Sequence, residues 1–384
     1  MMRVAHLLPS LEIGGKERMV VDLCANSRVE GLSPLIITYD APPQGRALID
    51  AGETPVEFVD RRHRERFAIE LRLLLDKWKV DLLHAHGQVS GIYAGHRALS
   101  RLPRVTTLHT ALGDGWRWLF PLIAALRRAD AVTAVSSDIG TSFARLLRRP
   151  VIEIPTGVDL ERFKPCSHRR KSETFTIGMV ARLHPVKRHR DAIQAIRSVL
   201  REGKDIRLLI AGEGPESEAL RHLAKGIHEI EFVGAVRDPI EIYQRIDAFL
   251  MCSESEGTPL ALLEAMACGV PCLVTAVGGM QEFIRLGAAA EVPLGDPSRL
   301  ALRISWLKSD LAAQMSLRRR ALEAVSQYGS RRQGQAYIDL YRQVVPPKPA
   351  WTQRQYNQSI CQLDDASQTV GSILGPTANG SHRP

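Results

Sequence analysis

Glu256 and Glu264 stand eight residues apart in the run Ser253-Glu254-Ser255-Glu256-Gly257-Thr258-Pro259-Leu260-Ala261-Leu262-Leu263-Glu264, and the run closes at Gly269. An apolar stretch ending at Cys252 comes first, so the first carboxylate falls on a loop and the second on the helix behind it. Thr258 has the chemistry of an N-cap, Pro259 suits the first helical position and Gly269 suits the stop. Gly257 allows close backbone approach, and free amides at a helix start attract phosphate or sugar oxygens. Glu256 on the loop and Glu264 two turns into the helix could grip hydroxyls at two ends of one ligand. The alternative is an ordinary capped helix with Glu264 facing solvent.

Arg182 and Lys187 lie five residues apart on the loop that ends the apolar run Thr176–Val180. A planar guanidinium fork and a movable ammonium suit a departing diphosphate, whose charge must be neutralised by a metal or by fixed cations. No Asp-x-Asp, a common carboxylate anchor for a metal, occurs in the sequence, so on this reading the cations substitute for it. Arg188, His189 and Arg190 follow, and a solvated basic loop is the competing reading. Gly14 and Gly15 sit at another strand-to-helix turn, where backbone amides can approach phosphate. They lack the spaced G-x-G-x-x-G fingerprint, which disfavours a dinucleotide dehydrogenase. His109, His84 and His86 close two further apolar runs. His84 and His86 share one face of an extended chain, as a metal pair would. No third ligand lies near them in sequence, strand-end histidines more often serve structure, and the expected metal content is none.

These side chains need a scaffold that gathers strand ends. Apolar runs at Val4–Leu8, Leu35–Tyr39, Leu82–Ala85, Val105–Leu108, Ala131–Val135 and Val151–Ile154 alternate with amphipathic stretches such as Glu17–Ser27, Phe67–Lys77 and Trp116–Arg128. That pattern expects a parallel sheet covered by helices on both faces. It stops at Pro155–Pro165, passes a basic linker (Cys166 to Thr174), and restarts with strands at Thr176–Val180, Arg207–Ala211, Ile230–Val233, Ala248–Cys252 and Pro271–Thr275. Helices are expected at Asp191–Arg201, Ser217–Lys225, Pro239–Arg245 and Pro259–Ala267, then over 297–345. The fold class is α/β, with two doubly wound, Rossmann-like domains (1–165 and 172–329) facing across a cleft and a disordered tail over 350–384.

The 384 residues are 45% hydrophobic and 24% charged, and 51 basic against 42 acidic side chains leave a net charge of +9. The excess suits an anionic partner. Nucleic acid is disfavoured, because aromatics are only 5% of residues and are not interleaved with the basic clusters. The six cysteines (Cys24, Cys166, Cys252, Cys268, Cys272, Cys361) form no Cys-x-x-Cys pair and read as buried thiols in a reducing, cytoplasmic compartment. No apolar run reaches the length of a signal-peptide core or a bilayer span.

Taken in order, the segments Gly14-Gly15-Lys16-Glu17, His84-Ala85-His86, Thr107-Leu108-His109, Ala134-Val135-Ser136, Ile154-Pro155-Thr156-Gly157-Val158-Asp159, Arg182 to Lys187, Ala211-Gly212-Glu213-Gly214-Pro215, Glu256 to Gly269 and Gly278-Gly279-Met280-Gln281-Glu282 resemble the retaining, GT-B-fold glycosyltransferases of family 4. The likeness runs from about Val4 to Tyr341. It implies transfer of a hexosyl group from a nucleotide sugar, UDP-linked slightly ahead of GDP-linked, to a glycan or lipid-linked acceptor in cell-surface polysaccharide, glycolipid or lipopolysaccharide biosynthesis. It implies that Gly14 and Gly15, Arg182 and Lys187 hold the diphosphate, and that Glu264 binds the ribose. Glu256, with the Gly257, Thr258 and Leu260 backbone, positions the sugar, and His109 lines the acceptor side. It further implies that a helix over about 330–345, near Tyr337, crosses back onto the first domain. Two positions depart from the family: Thr156 replaces an asparagine, and Arg188 replaces a small residue, either adding charge for the phosphate or lying exposed. A nucleotide-sugar epimerase or hydrolase on the same fold is the alternative enzyme, and a silent binding protein the third reading.

Arg61, Arg62, Arg64 and Arg66 precede the amphipathic stretch Phe67–Trp78, and Trp116, Trp118 and Phe120 precede Arg127 and Arg128. Basic residues beside aromatics suit peripheral docking on the anionic inner face of a membrane, or are simply solvated helix faces.

Overall fold

Strands buried on both faces carry apolar side chains on both, and the first half of the chain builds such strands. In the computed structural model it runs β1 (Arg3–Leu8), α1 (Gly15–Val29), β2 (Ser33–Thr38), β3 (Val56–Phe58), α2 (Arg64–Lys77) and β4 (Leu82–His86). It continues with α3 (Gln88–Ala94), β5 (Arg104–Leu108), α4 (Leu119–Arg128), β6 (Ala131–Ala134), α5 (Ser137–Leu147) and β7 (Ile152–Glu153). All neighbours are parallel, in the order β3-β2-β1-β4-β5-β6-β7. The structure describes residues 1–40, 48–62, 64–112, 118–165 and 174–346. Trp116, Cys166, Cys361, the Arg64 side chain, most of the Cys166–Thr174 linker and the 350–384 tail lie outside the described residues.

The second half opens with β8 (Phe175–Val180), α6 (His189–Arg201), β9 (Ile206–Ala211), α7 (Ser217–Leu223), β10 (Ile230–Gly234) and α8 (Ile240–Arg245). After them come β11 (Ala248–Met251), α9 (Leu260–Ala267), β12 (Cys272–Thr275), α10 (Met280–Arg285) and β13 (Ala290–Val292). Its sheet is also parallel, in the order β10-β9-β8-β11-β12-β13. Alternation along β11 divides the core: Phe249 and Met251 pack with α9, whereas Ala248 and Leu250 pack with Ile193 and Ile196 of α6. Helix α9 is apolar nearly all round (Leu262, Leu263, Ala265, Met266) and is correspondingly buried.

Helices α11 (Pro297–Ser309), α12 (Leu311–Val325) and α13 (Ser330–Val344) complete the unit Met1–Val345. Helix α13 leaves the second sheet and packs beneath the first. Its Tyr337, Ile338 and Tyr341 share a core with Val4, Leu23, Leu82 and Val105. The chain crosses at Val158, which donates to the Tyr328 carbonyl at 2.7 Å and accepts from Ser330 N–H at 2.8 Å. A Cβ on Gly157 would stand 2.7 Å from Ser330 Cα, so the crossing requires glycine there. Thr156 is buried in the same turn. No helix among the described residues is long and apolar enough to cross a membrane.

Candidate active site

Each sheet reverses its strand order once, and each reversal opens a crevice at the carboxyl ends of its strands. The first reversal lies between β1 and β4, where Gly14 and Gly15 follow β1 and His86 closes β4. The second lies between β8 and β11, with Arg182 and Lys187 following β8 and Glu254, Glu256 and Gly257 following β11. The loops from the two sheets meet. A Cβ on Gly257 would stand 2.8 Å from the His109 carbonyl oxygen and 2.9 Å from Val135 Cγ2, so glycine lets this loop close on the first sheet. A Cβ on Gly15 would lie 3.4 Å from Leu260 Cβ, which places the diglycine turn against the start of α9. Arg18, one turn into α1, donates to the Arg237 carbonyl at 2.7 Å.

Within this crevice Lys187 Nζ donates to Glu256 Oε1, with side-chain exposures of only 20% and 10%. Arg182 is exposed on the same loop and makes no ion pair among the described residues. Glu264 lies deeper, and the Tyr243 hydroxyl donates to its Oε2 at 2.7 Å. Burial raises the Glu264 carboxyl to about 7, against the opposing pull of Tyr243, Arg18 and Arg162. His109 is half-buried at the end of β5, and its Nε2 has no hydrogen-bond partner among the described residues. Burial, helped by Lys16, pushes its pKa down to about 3, so the imidazole is neutral at pH 7. The site therefore offers two cations, a carboxylate paired to one of them, a second carboxylate aimed from a helix, and a neutral imidazole across the cleft.

Sequence models described as "Glycosyltransferase Family 4" and "Glycosyl transferases group 1" match residues 13–162 and 174–310 respectively. N-acetyl-alpha-D-glucosaminyl L-malate synthase of Bacillus anthracis is 30% identical over 290 residues, covering 69% of this chain and 75% of its own length. The chain is a family 4, group 1 glycosyltransferase. An Escherichia coli UDP-Gal:alpha-D-GlcNAc-diphosphoundecaprenol alpha-1,3-galactosyltransferase is 28% identical to the transferase over 247 residues, 56% of this chain and 63% of its own. The structure of Anabaena HepE in complex with UDP-glucose superposes with a TM-score of 0.78 at 20% identity, over 88% of the transferase and 99% of that chain. The fold is GT-B.

The transferase departs from its sequence-based expectations at three places. Thr258 does not cap α9. Pro259 occupies the cap in extended geometry without a side-chain bond, and the Thr258 hydroxyl donates across the cleft to the Val135 carbonyl at 2.8 Å. Glu264, by contrast, is 5% exposed, which removes only the alternative of a solvent-facing helix carboxylate. Arg188 is neither exposed nor directed at phosphate; its guanidinium is bound by Asp191 and Glu254. His84 and His86 do have a third imidazole nearby, because β1 pairs with β4 and sets His6 beside His84 in register.

Residues two apart share one face of a strand, so His6, His84, His86 and Thr107 extend the face that carries Val4, Leu82 and Val105 over α13. His6 Nδ1 and His86 Nε2 are 3.0 Å apart, while His84 bonds Tyr341 Oη through Nδ1 and Thr107 Oγ1 through Nε2, both at 2.6 Å. Burial pushes His6 down to about 3 and His84 and His86 well below the ordinary range. With both His84 nitrogens bound to hydroxyls, this cluster fits a neutral hydrogen-bonded core that docks α13 better than a ligand set. Tyr243 and Arg18 also border these side chains, and neither carries a sequence signal of its own.

Proposed function

We propose that the transferase moves a hexosyl group from a nucleotide sugar to a glycan or lipid-linked acceptor, with retention and without a metal ion, in cell-surface polysaccharide or glycolipid biosynthesis. The contact between Lys187 and Glu256 carries the reading. It sets a leaving-group cation beside the carboxylate that would hold the sugar, with Arg182 free on the same loop. As the glycosidic bond to the diphosphate breaks, these cations take up the negative charge. The acceptor hydroxyl attacks on the same face and gives its proton to the departing phosphate oxygen. Neutral His109 faces the anomeric carbon as positive charge develops there. The HepE neighbour was crystallised with UDP-glucose, and the name of the E. coli relative specifies a UDP-sugar donor and a diphosphoundecaprenol-linked acceptor. Both favour UDP, and the E. coli relative alone favours a lipid-linked acceptor here.

A thermal-shift screen against UDP, GDP and ADP tests the donor site. UDP at about 100 times its Kd is expected to add about 2.7 kcal/mol of stability, and no shift with any of the three removes the reading. Incubating the responding nucleotide's sugar without acceptor then separates transfer from epimerase or hydrolase action. Rapid donor loss under those conditions would favour the latter.

A peripheral membrane contact is the second part of the proposal. Trp118 and Phe120 are 59% and 76% exposed at the start of α4, whose last turn carries Arg127 and Arg128. On α2, Phe67, Leu71 and Leu75 face the core, but Ile69 and Leu73 are 59% and 63% exposed. Arg61 and Arg62 are occupied by Asp40 and Asp60 and add little to this surface. Vesicle cosedimentation at low salt is expected to show more binding to anionic than to neutral lipid, at about 1 kcal/mol per free basic residue. Equal binding to the two would end the membrane reading.

A further inference from the structure

Arg188 stands in the left-handed region at φ 52, a conformation that favours glycine, between the turn carrying Lys187 and the start of α6. A residue held against this preference needs compensating contacts. Its Nε donates to Asp191 Oδ2 at 2.6 Å, its Nη2 to Asp191 Oδ1 at 3.2 Å, and its Nη1 to Glu254 Oε1 at 2.6 Å. Asp191 is 7% exposed and anchored in the first turn of α6. On its remaining side the guanidinium packs over the turn at Gly295, where a Cβ would lie 3.5 Å from Nη2. The hydrogen bonds to Asp191 and then Glu254 raise the Arg188 pKa further, so the charge is permanent.

The partners matter because of where they lie. Glu254 and Glu256 are two residues apart on the loop after β11, and Arg188 and Lys187 are adjacent on the loop after β8. Arg188 bonds Glu254 as Lys187 bonds Glu256, and between them the Glu254 amide donates to the Val186 carbonyl at 2.8 Å. One loop is thus tied to the other at three successive points. A bidentate guanidinium is the side chain suited to fix two carboxylates from different elements, and lysine could not reproduce it.

We propose that Arg188 is a positioning residue: it clamps the loop after β8 to the loop after β11 and so fixes the Lys187–Glu256 pair against the donor's diphosphate and sugar. This rests on the reading of Lys187 as the leaving-group cation. Arg188 touches no reacting atom. It sets where Lys187 stands when charge develops, so its loss lowers kcat while leaving nucleotide affinity, to which Glu264, Arg182 and the Gly14-Gly15 turn still contribute, largely in place.

The test uses Arg188→Gly, which removes the clamp but suits φ 52 and should keep the fold, together with Arg188→Lys, Glu254→Gln and the Arg188→Gly/Glu254→Gln double variant. UDP and GDP affinities, thermal midpoints, and kcat and KM for the donor found in the screen are measured on the full chain. Arg188→Gly and Glu254→Gln are each expected to lower kcat roughly 10-fold, with UDP or GDP Kd within about twofold of the parent and the double variant no worse than either single one. Arg188→Lys should fall between Arg188→Gly and the parent. Unchanged kcat in Arg188→Gly, multiplying losses in the double variant, or a loss confined to nucleotide affinity would overturn the clamp. Lys187→Ala, run alongside, separates the two ideas. If it too retains turnover, the leaving-group reading has failed; if it alone loses turnover, only the clamp has.

Discussion

Replacing Lys187 with alanine is expected to lower kcat for sugar transfer by roughly 100- to 1,000-fold, the loss that follows removal of one group aimed at developing charge. The magnitude agrees with electrostatics. A unit charge about 4 Å from a leaving phosphate oxygen contributes about 4 kcal/mol at the effective dielectric of a partly buried site. Lys187 is 20% exposed and anchored by Glu256, so little reorganisation is needed when the bond breaks. Arg182 remains in the variant and sets the residual rate. The substitution also strands Glu256, at 10% exposure, without its cation, so a lower thermal midpoint accompanies the kinetic loss. Lys187→Arg, which keeps the charge, should recover part of the rate and most of the stability. Turnover of Lys187→Ala within about threefold of the parent, or abolition of parental turnover by EDTA, would mean that another positive group neutralises the diphosphate.

The scaffold of this site was largely readable from sequence because its strands are buried on both faces. Runs such as Val4–Leu8 and Leu82–Ala85 are unbroken apart from a histidine in each, and each became a central strand. The same criterion passes over β3, an edge strand whose Val56 and Phe58 are 45% and 49% exposed, and β13, which is three residues long. Loop chemistry was legible where it is local: Gly14, Gly15 and Gly257 mark turns, and Arg182, Lys187 and Glu256 mark charge at strand ends. What pairs with what was not. Lys187 and Glu256 are separated by 69 residues, and only the adjacency of β8 and β11 brings them together. Thr258 shows the same limit from the other side. Thr-Pro before a helix is a sound local cap signal, but the Val135 carbonyl on the opposite sheet claims the hydroxyl first. His6 could have been found by asking why a polar side chain interrupts an apolar strand, since register with β4 then brings it beside His84.

Glu264→Gln should stabilise the protein and cripple it as a donor-binding enzyme. The Glu264 carboxyl is raised to about 7 by burial, while in the unfolded chain it has its ordinary value of 4.5. Between these values the unfolded state releases a proton that the folded state keeps, so stability falls as pH rises from 4.5 through 7 and the penalty is complete above 7. Glutamine keeps an acceptor for Tyr243 Oη but removes the charge. The variant should therefore gain about 3 kcal/mol relative to the parent at pH 8 and nothing at pH 4. Its affinity for UDP or GDP should drop by about 10- to 100-fold, because hydroxyl bonds to a carboxylate are worth about 1.5–3 kcal/mol. In the parent, a proton competes with the ribose for Glu264, so nucleotide affinity should weaken as pH falls below about 7. That dependence should flatten in Glu264→Gln, whereas titration of the nucleotide's own phosphate would persist in both proteins. Calorimetric Kd values and thermal midpoints at pH 5.5 and 8 decide the matter. Equal stability of the two proteins at pH 8, or parental affinity in the variant, would show that this buried carboxylate is tuned for something other than the ribose.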